Sequence, residues 1–266
     1  MPEGHTIHRA ARTQAALLAG RPLAASSPQG RFADGAARLD GRVLERIDAH
    51  GKHLLYRFRD APALHVHLGL FGRFRVHRGE VPPPRATTRL RLAPRDADDL
   101  AVDLSGPTAC ELFEPPAEER LMARLGPDPL ARDADPGAFL ARVRRSRAPV
   151  GTLLMDQSVL AGVGNVFRAE ALFLCGVHPL REGRDLTGAE ADCLWRTAGR
   201  MLEDGVRPGR IVTVDPAEAG APWSRIPRAR RTYVYGRDSC LRCGTPVERL
   251  ALAGRTAFAC PHCQPR

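Results

Sequence analysis

The chain has 266 residues, with 40 Lys and Arg against 30 Asp and Glu and a formal net charge of +10. That length accommodates two domains with cores of their own, and no apolar run reaches the roughly 20 residues of a membrane-spanning helix. Positive excess favours a polyanionic partner, and the Arg, His and Gln between Glu3 and Gly20 argue against a signal peptide, so a cytoplasmic location is expected. The basic set is skewed: Lys52 is the one lysine, and Asn165 the one asparagine. A chain rich in Ala, Arg, Gly and Pro follows a GC-rich coding bias that depletes both residues. A survivor is either chance or a position where the substitute fails chemically, and Arg, unlike Lys, cannot lose its proton in a protein.

In chain order, Met1-Pro2-Glu3-Gly4 comes first. With Met1 removed, Pro2 carries a secondary amine, and a terminal amine has an ordinary pKa of about 7.7–8.0, so a fraction is neutral near pH 7. A neutral amine attacks an electrophilic sugar carbon, and a neighbouring carboxylic acid supplies a proton. A plain helix start would look the same, since Pro and Glu both suit a first turn. Any Schiff-base chemistry in this chain has two candidate amines, the N-terminus and Lys52. Residues 3–19 read as a helix with an apolar stripe of Ile7, Ala11, Leu17 and Leu18 and a stop at Gly20. His5 and His8 are expected on its surface.

From Gly30 to about Phe113 short alternating runs, such as Arg73–Val76, Arg89–Leu92 and Ala101–Leu104, predict half-buried antiparallel strands in a sheet or sandwich. Lys52 follows a turn signal at His50-Gly51 and belongs near a hairpin; an exposed edge lysine is the alternative. His67 to Gly72 form an apolar loop bracketed by glycines. Leu70 and Phe71 at such a tip suit a wedge in a base stack, as equally they suit a buried turn. Residues 114–136 carry Pro115-Pro116, a charged run and three further prolines, and read as a linker with Arg124 near its end.

Helices follow. Ala138–Val143 is periodic, Leu153–Met155 opens a short helix, and Gly162-Val163-Gly164-Asn165 reads as a tight turn with Asn165 as N-cap of a helix from Val166. Exposed N–H groups at a helix start suit phosphate, although an interhelical turn would look alike. Thr187-Gly188-Ala189-Glu190 matches a capping box before a helix ending near Gly205. Residues 224–231 are a basic stretch, either a solvated linker or a phosphate contact. Cys240, Cys243, Cys260 and Cys263 form two C-x2-C pairs sixteen residues apart, the spacing of a structural zinc site. Between the pairs, residues 250–258 read as two short strands around Gly254, with Arg255 at the tip. Cys110, Cys175 and Cys193 are expected as buried thiols.

Six collinear motifs resemble the formamidopyrimidine-DNA glycosylase/endonuclease VIII family: residues 1–4, Gly-Lys-His at 51–53, His-Leu-Gly at 67–69, Leu-Gly-Pro-Asp-Pro at 125–129, residues 156–165, and the four-cysteine finger at 240–263. The opening Met-Pro-Glu-Gly-His-Thr is similar to actinobacterial endonuclease VIII-like members. The resemblance implies a multidomain α+β fold: an N-terminal catalytic β-sandwich with a terminal helix (1–113), a linker (114–136), a helix-two-turn-helix domain (137–228) and a zinc finger (229–266). It implies a bifunctional glycosylase and abasic-site lyase of base excision repair. In this reading Pro2 attacks the sugar carbon and Glu3 donates the proton that opens the sugar. Lys52 assists β-elimination, and Arg255 contacts phosphate and supports δ-elimination. Asn165 and Arg124 contact the DNA backbone, and one structural zinc sits on the four cysteines. The expected partner is damaged DNA, in duplex form, with no membrane and a monomeric protein; the sequence points to no particular protein partner.

Two departures bear on substrate. Some endonuclease VIII members carry Gln where this chain has Gly69, which leaves Leu70 and Phe71 to fill the space of a flipped base. The Met-Pro-Glu-Leu-Pro-Glu opening and the Gly-Gly-Thr-Thr loop of the formamidopyrimidine branch are both absent, which favours oxidised pyrimidines over purines. A zinc-containing DNA-binding protein without glycosylase activity would share the charge and the finger, but has no use for Pro2, Glu3 and Lys52. An enzyme acting mainly on preformed abasic sites is a further alternative.

Overall fold

The computed structural model describes residues 2–266; Met1, whose removal would free the Pro2 amine, lies outside the described residues. Two compact units emerge, one of residues 2–3 and 7–123, the other of Gly4–Thr6 and Arg124–Arg266.

The first unit contains α1 (Gly4–Leu18) beyond its opening turn, β1 (Leu23–Ser26), α2 (Ala33–Leu39), β2 (Leu44–His50), β3 (His53–Phe58), β4 (Ala63–His67), β5 (Arg73–Arg78), β6 (Thr88–Pro94), β7 (Leu100–Ser105), β8 (Ala109–Phe113) and α3 (Pro115–Arg124). The strands form two antiparallel four-stranded sheets, β1-β6-β7-β5 and β2-β3-β4-β8, the β-sandwich of the sequence reading. The alternation legible in Arg89-Leu90-Arg91-Leu92 is realised in β6, where every second residue is buried. Leu54, Tyr56, Leu64 and Val66 from one sheet meet Leu90, Leu92, Val102 and Leu104 from the other in one core, joined by Ile7, Ala11 and Leu18 of α1. Tyr56 is fully buried, and its hydroxyl donates to Gln14 Oε1 at 2.7 Å, so its polar tip costs little to bury.

The second unit contains α4 (Gly137–Arg144), α5 (Val150–Leu153), α6 (Asn165–Leu174), α7 (Gly188–Val206), α8 (Pro216–Ala219) and the hairpin β9 (Glu248–Leu252) and β10 (Arg255–Ala259). Phe139, Phe167, Leu172, Leu194 and Leu202 share one core. A smaller one gathers Phe173, Tyr233, Val234, Cys240 and Cys260. The capping box is present in full: Thr187 Oγ1 accepts from the Glu190 N–H, and Glu190 accepts from the Thr187 N–H. Among the described residues no helix is long and apolar enough to cross a membrane.

Four local expectations are corrected. The proline-rich stretch begins as a helix: α3 covers Pro115–Arg124 and is held by Glu118, which pairs with Arg57 of β3. His5 and His8 are not surface residues but only 3% and 7% exposed; the buried stripe of α1 is wider than its aliphatic positions. Asn165 is the first helical residue, and Gly164 takes the N-cap with an extended backbone that glycine adopts without strain. Cys175 and Cys193 are not free thiols but a disulfide that ties the end of α6 to α7.

Candidate active site and nucleic-acid interface

In the first unit Pro2 is half-buried and Glu3 fully buried. Glu3 is the N-cap residue of α1, but its side chain makes no capping bond to the helix it precedes. The carboxyl group next to the terminal proline is thus shielded from water and not committed to the role a first-turn acid ordinarily plays.

Lys52 occupies the second position of a two-residue turn between β2 and β3, with His50 paired directly to His53. Gly51 has φ +57°, the left-handed value that a tight hairpin of this kind requires at its first central residue. The motif Gly-Lys-His is therefore a turn glycine, a tip lysine and the first residue of β3. The charge of Lys52 reaches His67, whose pKa is lowered, chiefly by burial, with His65 and Lys52 adding to the shift.

The loop from β4 to β5 presents two large apolar side chains to solvent, Leu70 at 47% and Phe71 at 83% exposure. A buried turn is thereby excluded for these two residues. Gly69 has φ +64°, and a Cβ there would lie 1.8 Å from Thr108 Oγ1. A side chain at 69 would be strained by that left-handed backbone and would require Thr108 to move, which favours glycine there.

Sequence reasoning missed a polar chain on the same sheet. His53 Nδ1 lies 2.9 Å from His65 Nε2, and His65 Nδ1 lies 3.0 Å from Glu111 Oε1. The available signal was His at 65 and 67, two apart on a strand and hence on one face.

In the second unit the Asp-Gln-Ser-Val-Leu-Ala-Gly-Val-Gly-Asn stretch builds the entry to α6. Gln157, not singled out by sequence, spans the loop: its amide donates to the carbonyls of Met155 and Val163 at 3.0 and 2.9 Å, and its oxygen accepts from the Gly162 N–H at 3.1 Å. Gly162 has φ +91°, and its carbonyl accepts from the Gly4 N–H at 2.8 Å. A Cβ on Gly4 would sit 3.0 Å from the Gly162 Cα, so the closeness of the two backbones explains the fourth residue of the opening motif. His5, beside it, packs edge-on against Phe167 at 5.2 Å, and burial lowers its pKa to about 4.

Asn165 is brought to the zinc-finger hairpin. Its amide donates to the Thr256 carbonyl at 3.1 Å, and its oxygen accepts from Arg168, which also donates to the Thr256 carbonyl at 3.0 Å. Thr256 follows Arg255, the exposed first residue of β10 after a turn in which Ala253 and Gly254 have φ +52° and +68°. Two positive φ values define a type I′ turn, and the tip expected at Gly254 is observed. Arg124 is exposed at the end of α3 and is not brought to this cluster by any hydrogen bond or ion pair among the described residues.

The sulfurs of Cys240, Cys243, Cys260 and Cys263 all lie within 4.8 Å of one another. Cys243 is 3.4 Å from Cys260 and 3.6 Å from Cys263. Tetrahedral zinc with Zn–S bonds near 2.3 Å spaces its sulfurs ~3.8 Å apart, so the set fits one ion with slight relaxation. Zinc bound there would act as a staple, joining the two ends of a module too small to hold itself by apolar burial.

The chain matches three family models: the formamidopyrimidine-DNA glycosylase N-terminal domain over residues 1–104, the formamidopyrimidine-DNA glycosylase H2TH domain over 125–215, and the zinc finger found in FPG and IleRS over 239–266. It is 44% identical over 270 residues to "Endonuclease 8 1" of Mycobacterium tuberculosis, covering 99% of this chain and 100% of that protein. It belongs to the formamidopyrimidine-DNA glycosylase/endonuclease VIII family. These are DNA glycosylases with abasic-site lyase activity in base excision repair. The formamidopyrimidine-DNA glycosylase of Thermomicrobium roseum is 30% identical over 293 residues, covering 100% of this chain and 99% of its own. Among solved structures, Lactococcus lactis Fpg bound to Fapy-dG-containing DNA superposes with a TM-score of 0.79 at 23% identity, covering all of both chains. Its complex with abasic-site DNA gives 0.77 at 22% identity, over 99% of this chain and 100% of that one.

Proposed function

We propose that the enzyme removes oxidised bases, pyrimidines in preference, through a Schiff base on Pro2, and cuts the strand by β,δ-elimination. The neutral secondary amine attacks the sugar carbon bearing the base. The glycosidic bond breaks, Glu3 protonates the opening sugar, and the product is an iminium that cannot discharge by losing an N–H proton. That cation acidifies the neighbouring C2′ hydrogens, so a base removes one and the 3′ phosphate departs; a second elimination releases the 5′ phosphate. Lys52 serves the elimination, Arg255 holds phosphate and supports the second elimination, and Asn165 and Arg124 hold the backbone. Phosphate contacts of this kind position a protein without reading sequence. Leu70 and Phe71 fill the stack when the damaged nucleotide is flipped out.

The observation that carries the reading is the amine inventory: a chain with one lysine keeps it in a two-residue turn, and the other amine source is the proline terminus. The full burial of the Glu3 carboxyl, which makes no capping bond to α1, supports the assignment of an acid beside the nucleophile. Higher identity to an endonuclease VIII member than to a formamidopyrimidine one supports the pyrimidine preference. The domain limits follow the same reading: a sandwich to residue 113, a connecting stretch to 136, the helical domain to 228 and the finger beyond.

Borohydride reduction of the intermediate on lesion-bearing duplex tests the proposal. The adduct should map by mass spectrometry to Pro2 of protein lacking Met1. Lys52→Arg should still trap but lose elimination; Glu3→Gln should lose excision and keep some cleavage at preformed abasic sites. An adduct on Lys52, or full trapping by protein with a blocked N-terminus, would overturn it.

A further inference from the structure

The β2-β3-β4-β8 sheet buries Leu54, Tyr56, Leu64 and Val66 in the core, so the alternate residues of the same strands face the other way. Register places His53 opposite His67 and His65 opposite Glu111. The result is a hydrogen-bonded chain that runs from the first residue after the Lys52 turn towards solvent: His53, which follows Lys52 in sequence, then His65 at 2.9 Å, then Glu111 at 3.0 Å. The His65 side chain is 5% exposed and stacked on Phe113 at 4.4 Å, whereas that of Glu111 is 54% exposed. The His53 ring lies 4.8 Å from His67. The other charged or titratable groups on this face include His50, Asp48 and Arg46 of β2, Arg57 of β3 and Glu118 of α3; Arg46 and Arg57 both pair with Asp48, and Arg57 also pairs with Glu118.

The chain has a direction. An ionised carboxylate only accepts, so His65 donates to Glu111 through Nδ1–H. Neutral His65 then offers Nε2 as an acceptor and takes the Nδ1–H of His53, which leaves the lone pair of neutral His53 on Nε2. Burial keeps His65 neutral, lowering its pKa against the opposing pull of Glu111.

We propose that Glu111, His65 and His53 form a proton relay serving the Lys52 hairpin during strand elimination. The proposal rests on the Lys52 role stated above. The Lys52 ammonium gives a proton to His53 Nε2; His53 passes its Nδ1 proton to His65 Nε2; His65 passes its Nδ1 proton to Glu111, which yields it to water. One N–H bond breaks and one forms at each ring, and no electrons change hands. The neutral lysine then takes the C2′ proton as the 3′ phosphate leaves. Return of a proton from water, along the same path to the departing phosphate, restores the starting tautomers. His53, His65 and Glu111 are thus positioning residues acting through Lys52.

The experiment is single-turnover cleavage of a preformed abasic duplex as a function of pH, with borohydride trapping run in parallel. His65→Asn should slow elimination about tenfold near pH 7, change the shape of the pH profile, and trap as wild type does. Added imidazole should restore part of the rate. Glu111→Gln, at an exposed position, should cause a smaller loss of about threefold. On the wild type, 15N imidazole NMR should show Nδ1–H tautomers at both His53 and His65, a readout that needs no variant to fold. Nε2–H at His53, an unaltered pH profile in both variants, or equal loss of trapping and elimination without imidazole rescue each overturns the relay. Lys52→Arg in the same assay separates the two claims: if it eliminates normally, the Lys52 role fails, and if it is impaired while His65→Asn is not, only the relay fails.

Discussion

Replacing Glu170 should loosen the zinc module from a position inside the helical core. Glu170 lies on α6, is 0% exposed, and is wholly occupied by four donors. Oε1 accepts from the N–H groups of Val234 and Tyr235 at 3.0 and 2.8 Å. Oε2 accepts from the Tyr233 N–H at 2.7 Å and the Thr213 hydroxyl at 2.5 Å. Burial raises its pKa even against those donors. Truncation to Ala strands three backbone N–H groups, each worth about 1–3 kcal/mol when buried and unsatisfied. Partial rehydration of the cavity reduces the sum, and ~3–5 kcal/mol is expected, as for a broken buried charge network. Glu170→Gln keeps one acceptor oxygen but, in either orientation, turns an NH2 toward at least one of the backbone N–H donors, so ~2–3 kcal/mol is expected despite the near-isosteric change. The consequence travels a short way: Tyr233 stacks on Phe173 at 4.7 Å, and the Arg242 guanidinium lies 4.8 Å over Tyr233 beside the ligand Cys243. Equilibrium urea unfolding measures the stability, and chelator-driven zinc release measures the local effect, which should accelerate in both variants. If Glu170→Gln lay within 0.5 kcal/mol of wild type with unchanged zinc release, the network would not be what fastens residues 233–235.

Three other outcomes are expected. His5 has a folded pKa of about 4 against an ordinary 6.5, so its contribution is complete above pH 6.5 and is lost as pH falls toward 4. Roughly 2 kcal/mol should disappear by pH 5, a slope that urea titrations of His5→Asn should lack. Replacing both Leu70 and Phe71 by Ala should leave thermal stability almost unchanged, since both are exposed. It should depress excision from duplex more than cleavage at a preformed abasic site; equal losses would contradict the wedge. Cys243→Ser should lose zinc and weaken DNA cleavage through the Arg255 hairpin, and metal analysis near zero in active wild type would refute a zinc-dependent finger.

Much of this was legible because the features were periodic or punctuated. The RLRL run of β6, the Thr187 capping box and the Gly254 turn each have a local physical cause, and each stands where its residues predict. The failures share another character: they depend on what a residue meets far along the chain. His5 looks like a surface residue until Phe167 closes over it. Asn165 has the composition of an N-cap, yet its amide serves Thr256, 91 positions away, and glycine caps the helix instead. Two cysteines among apolar residues give no hint of pairing until α6 and α7 bring them to a Cα separation of 5.9 Å. Of the polar chain at His53, the sequence shows His65 sharing a strand face with His67, but His53 and Glu111 come from other strands.

Helix α6 gives the lone asparagine a fuller account than phosphate binding does. Within ten residues it carries Asn165 and Arg168, which hold the Thr256 carbonyl, and Glu170, which holds residues 233–235. The hairpin tip and the entry to the zinc module are therefore both fixed to one helix. Both ends of the Asn165 carboxamide are engaged, one as donor to Thr256 and the other as acceptor from Arg168. Aspartate, a residue this GC-rich coding retains freely, would satisfy Arg168 but set an acceptor against the Thr256 carbonyl; glutamine would be one methylene too long for a site that is 7% exposed. A residue that must donate and accept over that short span has few substitutes. The same demand explains why the chain's one asparagine survives here, against the hairpin that carries Arg255.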